Sequence, residues 1–288
     1  MRGDSVRFAV LLACYNRVGV TLTCLRRLFA ARLPEGTLFD VWLNDDGSVD
    51  GTGAECRAFL LARESSGWRG RGYVLTGSGH DFWCGGMRRA WEAASRHFKY
   101  DGYLWLNDDT FLLGDAIEQM LDCAQGDSSI VVGSTRSSHG DGRTTYSGRD
   151  LKGGILEPNG EYQRAWGMNG NCVWIPQTVF ARLGNFPSYF THALGDFDYG
   201  LRAVESGIAI YQTPRHVGIC DDAKKPTAWR DGAVPFVKRL WNLYSPIGGP
   251  EPLVFFRYNL SHRGVLWAVR CWIAQHIRVV FPPLERLA

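Results

Sequence analysis

The sequence predicts an α/β protein: a single Rossmann-like, mostly parallel sheet with flanking helices and a C-terminal helical extension. Two observations carry that expectation. Apolar runs and amphipathic stretches alternate over residues 1–125, and such alternation builds parallel sheets with helices on both faces. Three of the runs end in polar groups, at the strand tips where ligands of such sheets collect.

Val6 to Ala13 is an apolar run broken only by Arg7 and reads as the first, central strand. Val20 to Ala31 carries Leu22, Leu25, Leu28 and Phe29 at helical spacing, and Pro34-Glu35-Gly36 breaks it. Phe39 to Leu43 is the second strand, Gly53 to Arg63 a helix and Gly72 to Thr76 the third strand. The loop Gly77-Ser78-Gly79 follows, and Phe82-Trp83-Cys84-Gly85-Gly86 leads into a helix over Met87 to His97. Tyr103 to Leu106 is the fourth strand, and a helix over Leu113 to Ala124 comes after it. Beyond residue 126 the pattern loosens. Ile130 to Gly133 and Cys172 to Ile175 read as strands, with hairpins and loops between. Pro176 opens a helix over Thr178 to Leu183. Tyr199, Leu201 and Val204 space a helix whose first turn holds Asp196 and Asp198. Ile208 to Gln212 reads as a strand ended by Pro214.

The 288 residues suffice for one large domain or two small ones, and 45% hydrophobic with 21% charged residues is the make-up of a globular protein. A net charge of +3 gives no argument for nucleic acid. The eight cysteines show no CxxC pair, which argues against a zinc knuckle or a thioredoxin-type motif. Met1-Arg2-Gly3-Asp4 leads into a strand and not into a signal peptide's apolar core, so the cysteines are expected to be reduced and the protein cytoplasmic.

The stretch GYLWLNDDT, Gly102 to Thr110, concentrates the chemistry. An apolar strand runs out into Asn107-Asp108-Asp109. Adjacent carboxylates there either cap the following helix or face a hard divalent cation held against a diphosphate. By itself the stretch leaves both readings open. The second strand ends in Asn44-Asp45-Asp46-Gly47-Ser48, which is equally a turn signal. There is no Walker lysine motif, and Gly77-Ser78-Gly79-His80-Asp81-Phe82 lacks the GxGxxG spacing.

Taken together, YNR after the first strand, DDGSVDGT after the second, NDD after the fourth and the later GDFDYGLR resemble the family 2 glycosyltransferases, enzymes of the GT-A fold. FWCGGMRRAW, YLWLNDDT, MNGNCVWIP and GDFDYGLRA in that order resemble a bacterial, rhamnosyltransferase-like subgroup. The resemblance covers residues 6 to about 220. It implies an inverting, metal-dependent transfer from a nucleoside diphosphate sugar, with dTDP-rhamnose favoured, to a glycan or lipid-linked acceptor of bacterial surface polysaccharide. A UDP-sugar donor such as galactofuranose is the alternative. Other classes are a pyrophosphorylase-like nucleotidyltransferase and an inactive carbohydrate-binding relative.

The resemblance also distributes roles. Asp46 would accept the N3–H of a pyrimidine base. Tyr15, Asn16 and Arg17 would lie beside base and phosphate, and Trp83, Gly86 and Arg88 beside the diphosphate, with Arg89 able to replace Arg88. Asp108 would approach the ribose or the metal shell. Asp109 would ligate Mg²⁺ or Mn²⁺, oxygen-preferring ions, and His216 is the further metal ligand, with Cys220 nearby. Asp196 would be the general base. Asp198 is its rival, or pairs with Arg202 one turn on. Trp166, Asn169, Asn171 and Arg202 would line the sugar or acceptor site.

Residues 1–220 are expected to form the catalytic domain, with 1–125 binding the nucleotide and 126–220 the acceptor. Residues 221–252 read as a mobile loop. In the helical segment 253–288, Phe255, Phe256, Trp267, Trp272 and Phe281 alternate with arginines. That suits peripheral contact with an anionic membrane, or packing on the domain or on a homodimer partner.

Overall fold

The structure is a computed structural model, and it describes residues 6–124, 128–222 and 229–282. Strands β1 (Arg7–Cys14), β2 (Leu38–Asp45), β3 (Gly72–Thr76) and β4 (Gly102–Leu106) alternate with helices α1 (Val18–Ala30), α2 (Thr52–Ser65) and α3 (Phe82–His97). These four strands are parallel, in the order β3-β2-β1-β4. The tips of β1, β2 and β4 therefore point to one edge of the sheet.

After the two-residue strand β5 (Phe111–Leu112) and helix α4 (Ala116–Cys123), the sheet becomes mixed. β6 (Ser129–Arg136) leads to the short strands β7 (Thr144–Tyr146), β8 (Gly148–Arg149), β9 (Gln163–Ala165) and β10 (Gly167–Met168), then to β11 (Cys172–Pro176). β11 lies antiparallel between β4 and β6. Helices α5 (Gln177–Leu183) and α6 (Gly195–Glu205) precede β12 (Ala209–Ile219), which runs parallel to β6. β8 and β10 form a separate two-stranded ribbon.

Side chains alternating across β1 explain why both faces are covered. Phe8, Val10 and Leu12 pack with Leu25 and Leu28 of α1, Leu60 of α2 and Met120 of α4. Ala9 and Leu11 pack on the other face with Met87 and Trp91 of α3 and Tyr199 of α6. The high tryptophan content is largely absorbed here: Trp91 and Trp105 are wholly buried and meet edge-on at 5.3 Å.

Two local readings are corrected. α3 begins at Phe82, five residues before its expected start, so Trp83 to Gly86 are helical rather than loop. The glycines there serve close packing. A Cβ on Gly86 would stand 2.9 Å from that of Ala13 and 3.0 Å from Asn44. Pro214 does not end β12. The register shifts between Gln212 and His216, and this irregularity carries the proline within the strand.

Within 221–252, read as loop, residues 223–228 lie outside the described residues, and the rest holds helix α7 (Phe236–Leu243) and a 3₁₀ turn, Pro246–Gly248. Helices α8 (Pro252–Arg263) and α9 (Val265–Val280) follow, and residues 283–288 lie outside the described residues. α8 packs on α3 and on the loop before α6. Val254 joins Phe190 and Cys84, and Glu251 accepts a hydrogen bond from Thr191 at 2.7 Å.

Candidate active site

A cavity of about 410 Å³ opens at the carboxyl edge of β1, β2 and β4. Five of the residues expected at the nucleotide line it: Tyr15, Arg17, Asp46, Trp83 and Asp108. Phe82, His192 and Ile247 were not foreseen and line it too. His192 stands four residues before Asp196 in a loop with no periodicity to mark it. Ile247 comes from the 3₁₀ turn between α7 and α8.

Arg17 ties the β1 tip to the β4 tip. Its Nη1 lies 2.9 Å from Asp108 Oδ1 and 3.1 Å from Asp109 Oδ2. Asp108 is buried and also accepts from the Thr21 hydroxyl at 3.0 Å. Burial pushes its pKa up to about 6, against the pull of Arg17. Asp109 is the open member of the pair, with 43% of its side chain exposed. Asn107 is held by Trp83, whose indole N–H donates to its Oδ1 at 2.7 Å.

Asp46 is buried, and its carboxylate accepts three backbone N–H groups: Gly79 at 2.8 Å, Asp81 at 3.1 Å and Phe82 at 2.9 Å. It thus fixes the loop between β3 and α3 that forms the cavity floor. The glycines of that loop are required by the same contact. A Cβ on Gly77 would lie 2.6 Å from Asp46 Oδ1, and Gly79 has φ +82°.

Asp196 sits beside this cavity, across Trp83. A Cβ on Gly170 would be 2.7 Å from the Trp83 ring and 3.0 Å from Asp196 Cβ, so the glycine lets the two approach. The Asp196 carboxylate accepts from the Gly170 N–H at 2.8 Å and the Phe197 N–H at 2.9 Å. Burial raises its pKa above the ordinary aspartate value. No side-chain cation is bonded to it among the described residues, which leaves it able to take a proton.

Several expected site residues have other work. Asp198 bonds Arg202 Nε at 2.7 Å and His262 Nε2 at 3.0 Å, so both of its oxygens are engaged. Arg202 also donates to the carbonyls of Leu183 and Asn185. Arg88 donates to the carbonyls of Pro187 and Phe190 instead of a phosphate, and Arg89 pairs with Asp81. Asn16 binds the Val49 N–H and the Ser48 hydroxyl, bracing the β2–α2 loop. Gly86 faces Ala13 and not a diphosphate. Asn169 is buried against Arg149, at 2.8 Å. Asn171 is buried and donates to Cys220, and Trp166 lies half-exposed under Arg164.

His216 is not at the carboxylates. Its Nε2 meets Thr144 at 2.9 Å. The residue after β12 that reaches Asp109 is Cys220, with Sγ 3.7 Å from Oδ1. Burial pushes that thiol up to about 12, so it stays protonated. Among the described residues no three His, Cys, Asp or Glu side chains converge on one point. The donor set fits an ion held by one protein carboxylate, Asp109, with most of its oxygens supplied by a bound diphosphate, as Mg²⁺ and Mn²⁺ allow.

The ion pair of His262 gives a testable pH effect. Its side chain is 4% exposed, between Asp198 and Glu205. The bond to Asp198, chiefly, raises its pKa above the ordinary 6.5, against burial. A raised histidine stabilises fully below its unfolded pKa, and the contribution is lost as pH rises through the folded value. The Tm advantage of the native protein over His262→Gln is therefore expected to be largest at about pH 6 and to shrink above the folded pKa. A pH-independent difference in thermal melts would remove the charge contribution.

The sequence profile described as Glycosyl transferase family 2 matches residues 9–184, more than half of the chain and all of the strand tips above. No curated protein matches. Among solved structures, a mannosyltransferase from Pyrobaculum calidifontis, in complex with GDP-Man and Mn²⁺, is 15% identical with a TM-score of 0.54, covering 96% of this chain and 76% of that one. TarS 1–349 from S. aureus, in complex with UDP-GlcNAc, is 11% identical with a TM-score of 0.56, covering 94% and 73%. At such identities the likeness speaks for the fold alone. The pyrophosphorylase-like alternative is overturned by the family match: the chain belongs to glycosyl transferase family 2 and is a glycosyltransferase of the GT-A fold.

Proposed function

We propose that the protein is an inverting, metal-dependent transferase moving a sugar from dTDP-rhamnose to a glycan or lipid-linked acceptor of a bacterial surface polysaccharide. The observation that carries the transfer reading is the placement of Asp196. It is a partly buried carboxylate to which no side-chain cation is hydrogen-bonded among the described residues, close to Trp83, which lines the donor cavity. Inversion needs one base to take the acceptor's proton as the anomeric carbon is attacked, and no covalent intermediate. Asp196 takes that proton. Asp198 holds α6 in place through Arg202 and His262.

On the donor side, Asp46 shapes the base end of the cavity, and its Oδ2, which accepts only the Phe82 N–H, keeps a lone pair for a pyrimidine N3–H. Arg17 gives the diphosphate a guanidinium that now bridges Asp108 and Asp109. Asp109 would hold the ion, which supplies charge neutralisation of the leaving diphosphate when bound. The rhamnosyl donor follows from the order of the subgroup's motifs. UDP-sugars share the N3–H, and S. aureus TarS, of the same fold, is described with UDP-GlcNAc, so a UDP-sugar is the second reading.

Thermal melts across nucleoside diphosphate sugars, with and without Mn²⁺, test this. Donor at about a hundredfold its Kd is expected to add about 2.7 kcal/mol of stability, with dTDP-rhamnose most effective and Mn²⁺ enhancing the shift. No response to any nucleoside diphosphate would sink the reading.

A further inference from the structure

The exposed apolar surface of this protein is concentrated at one end of the chain. Among the described residues, seventeen of the 26 large hydrophobic residues that stand exposed lie between Phe236 and Phe281. On α9, Leu266, Val269, Ile273, Ile277 and Val280 recur at intervals of three and four, and each is at least 41% exposed. The helix buries a different stripe, Ala268, Gln275 and Val279. α7 lies against it through Leu243 and Val279, and Tyr244 meets His276 at 2.8 Å. The outward side of α7 is apolar as well, with Val237 at 73% and Trp241 at 77% exposure.

The charges framing this surface have one sign. α8 and α9 contain Arg257, Arg263, Arg270 and Arg278 and no Asp or Glu. Arg263 and Arg270 both lie over the Trp267 ring, at 5.2 and 5.1 Å. An indole flanked by guanidiniums at the border of an apolar face suits the headgroup region of a bilayer. A second copy of this chain is the poorer occupant, because packing two such faces would bring together the arginines of α9 from both copies with no carboxylate on that helix to offset them. No helix of the described residues is long and apolar enough to cross a membrane.

We infer that α7 and α9 together form a docking surface for an anionic lipid bilayer, on which the protein lies peripherally. Aliphatic residues and Trp241 enter the interface while the arginines meet lipid phosphates. The surface is joined to the site. Ile247, four residues after α7, lines the donor cavity, and α8 is tied to α6 by His262. The cavity is thereby held near the bilayer. Its use on a lipid-linked acceptor rests on the functional reading above, whereas the docking itself does not.

Flotation of the full chain with vesicles tests the inference, and thermal shift with donor is read separately. Vesicles with about a third phosphatidylglycerol are expected to bind at least about tenfold more protein than pure phosphatidylcholine, with the difference shrinking at high salt. Leu266→Glu with Ile273→Glu is expected to lower binding by about tenfold or more. Arg270→Gln with Arg278→Gln, a surface change that spares the apolar face, is expected to erase the preference for the anionic lipid. The nucleotide-induced thermal shift stays unchanged in all of these variants. Absence of binding, or equal binding to both vesicles, overturns the inference. So does a native dimer in solution that the Leu266→Glu, Ile273→Glu variant makes monomeric.

Discussion

Asp196→Asn is expected to keep donor binding and to lose transfer, with kcat falling by about 10²- to 10⁴-fold, the range for removal of a positioned general base. The amide is nearly isosteric, and its oxygen can still accept the Gly170 N–H that the native carboxylate accepts at 2.8 Å. Fold and cavity therefore survive, and the proton acceptor does not. The pH profile separates this from a loss of shape. The base works ionised, and burial raises the pKa of Asp196. In the native enzyme kcat is expected to rise with pH through a value above that of an ordinary aspartate, and the variant's residual rate should lack that limb. Full activity in Asp196→Asn would remove the assignment and return attention to His192, another titratable side chain that lines the cavity.

Asp46→Ala is expected to damage both stability and donor affinity. Three backbone N–H groups lose their acceptor at once. Leaving buried donors unpaired costs about 1–3 kcal/mol each when nothing relaxes. The loop can turn part of them to water, so a total of about 3 kcal/mol is reasonable, or roughly 10 °C in Tm for a chain of this size. The N-terminus of α3 also loses the negative charge that complements its dipole. With Gly79 and Phe82 displaced, one wall of the donor cavity goes with them. Asp46→Asn keeps the shape and an acceptor, and is expected to fall between. Unchanged melting and unchanged donor binding in Asp46→Ala would show that the loop holds itself.

These two carboxylates show what the sequence carried and what it left out. β1, β2 and β4 were legible because largely apolar runs end abruptly in polar groups, as buried parallel strands do. The convergence of Arg17, Asp46 and Asp108 on one cavity follows from that parallel order. The start of α3 was not legible. Phe82 takes φ +51° at the entry, and two glycines in a helix's first turns look like loop until Ala13 and Asn44 are seen against them. The pairing of Asp198 with Arg202 was visible as a spacing of four. Its other partner, His262, is 64 residues away on a helix that no local pattern ties to α6. Arg88 shows the same limit. An arginine near a helix start suggests a phosphate, but here the loop carbonyls of Pro187 and Phe190 take the guanidinium. His216 and Cys220 lie four apart, and the shift of register in β12 decided which of them reaches Asp109.

Calorimetric titration of dTDP-rhamnose and UDP-sugars into the native protein with Mn²⁺ present tests the central claim most directly. One saturable site is predicted, with the affinity lost in Asp46→Ala and retained in Asp196→Asn. Heat from no nucleoside diphosphate sugar, or binding indifferent to Asp46→Ala, would contradict a donor site at the tips of β1, β2 and β4.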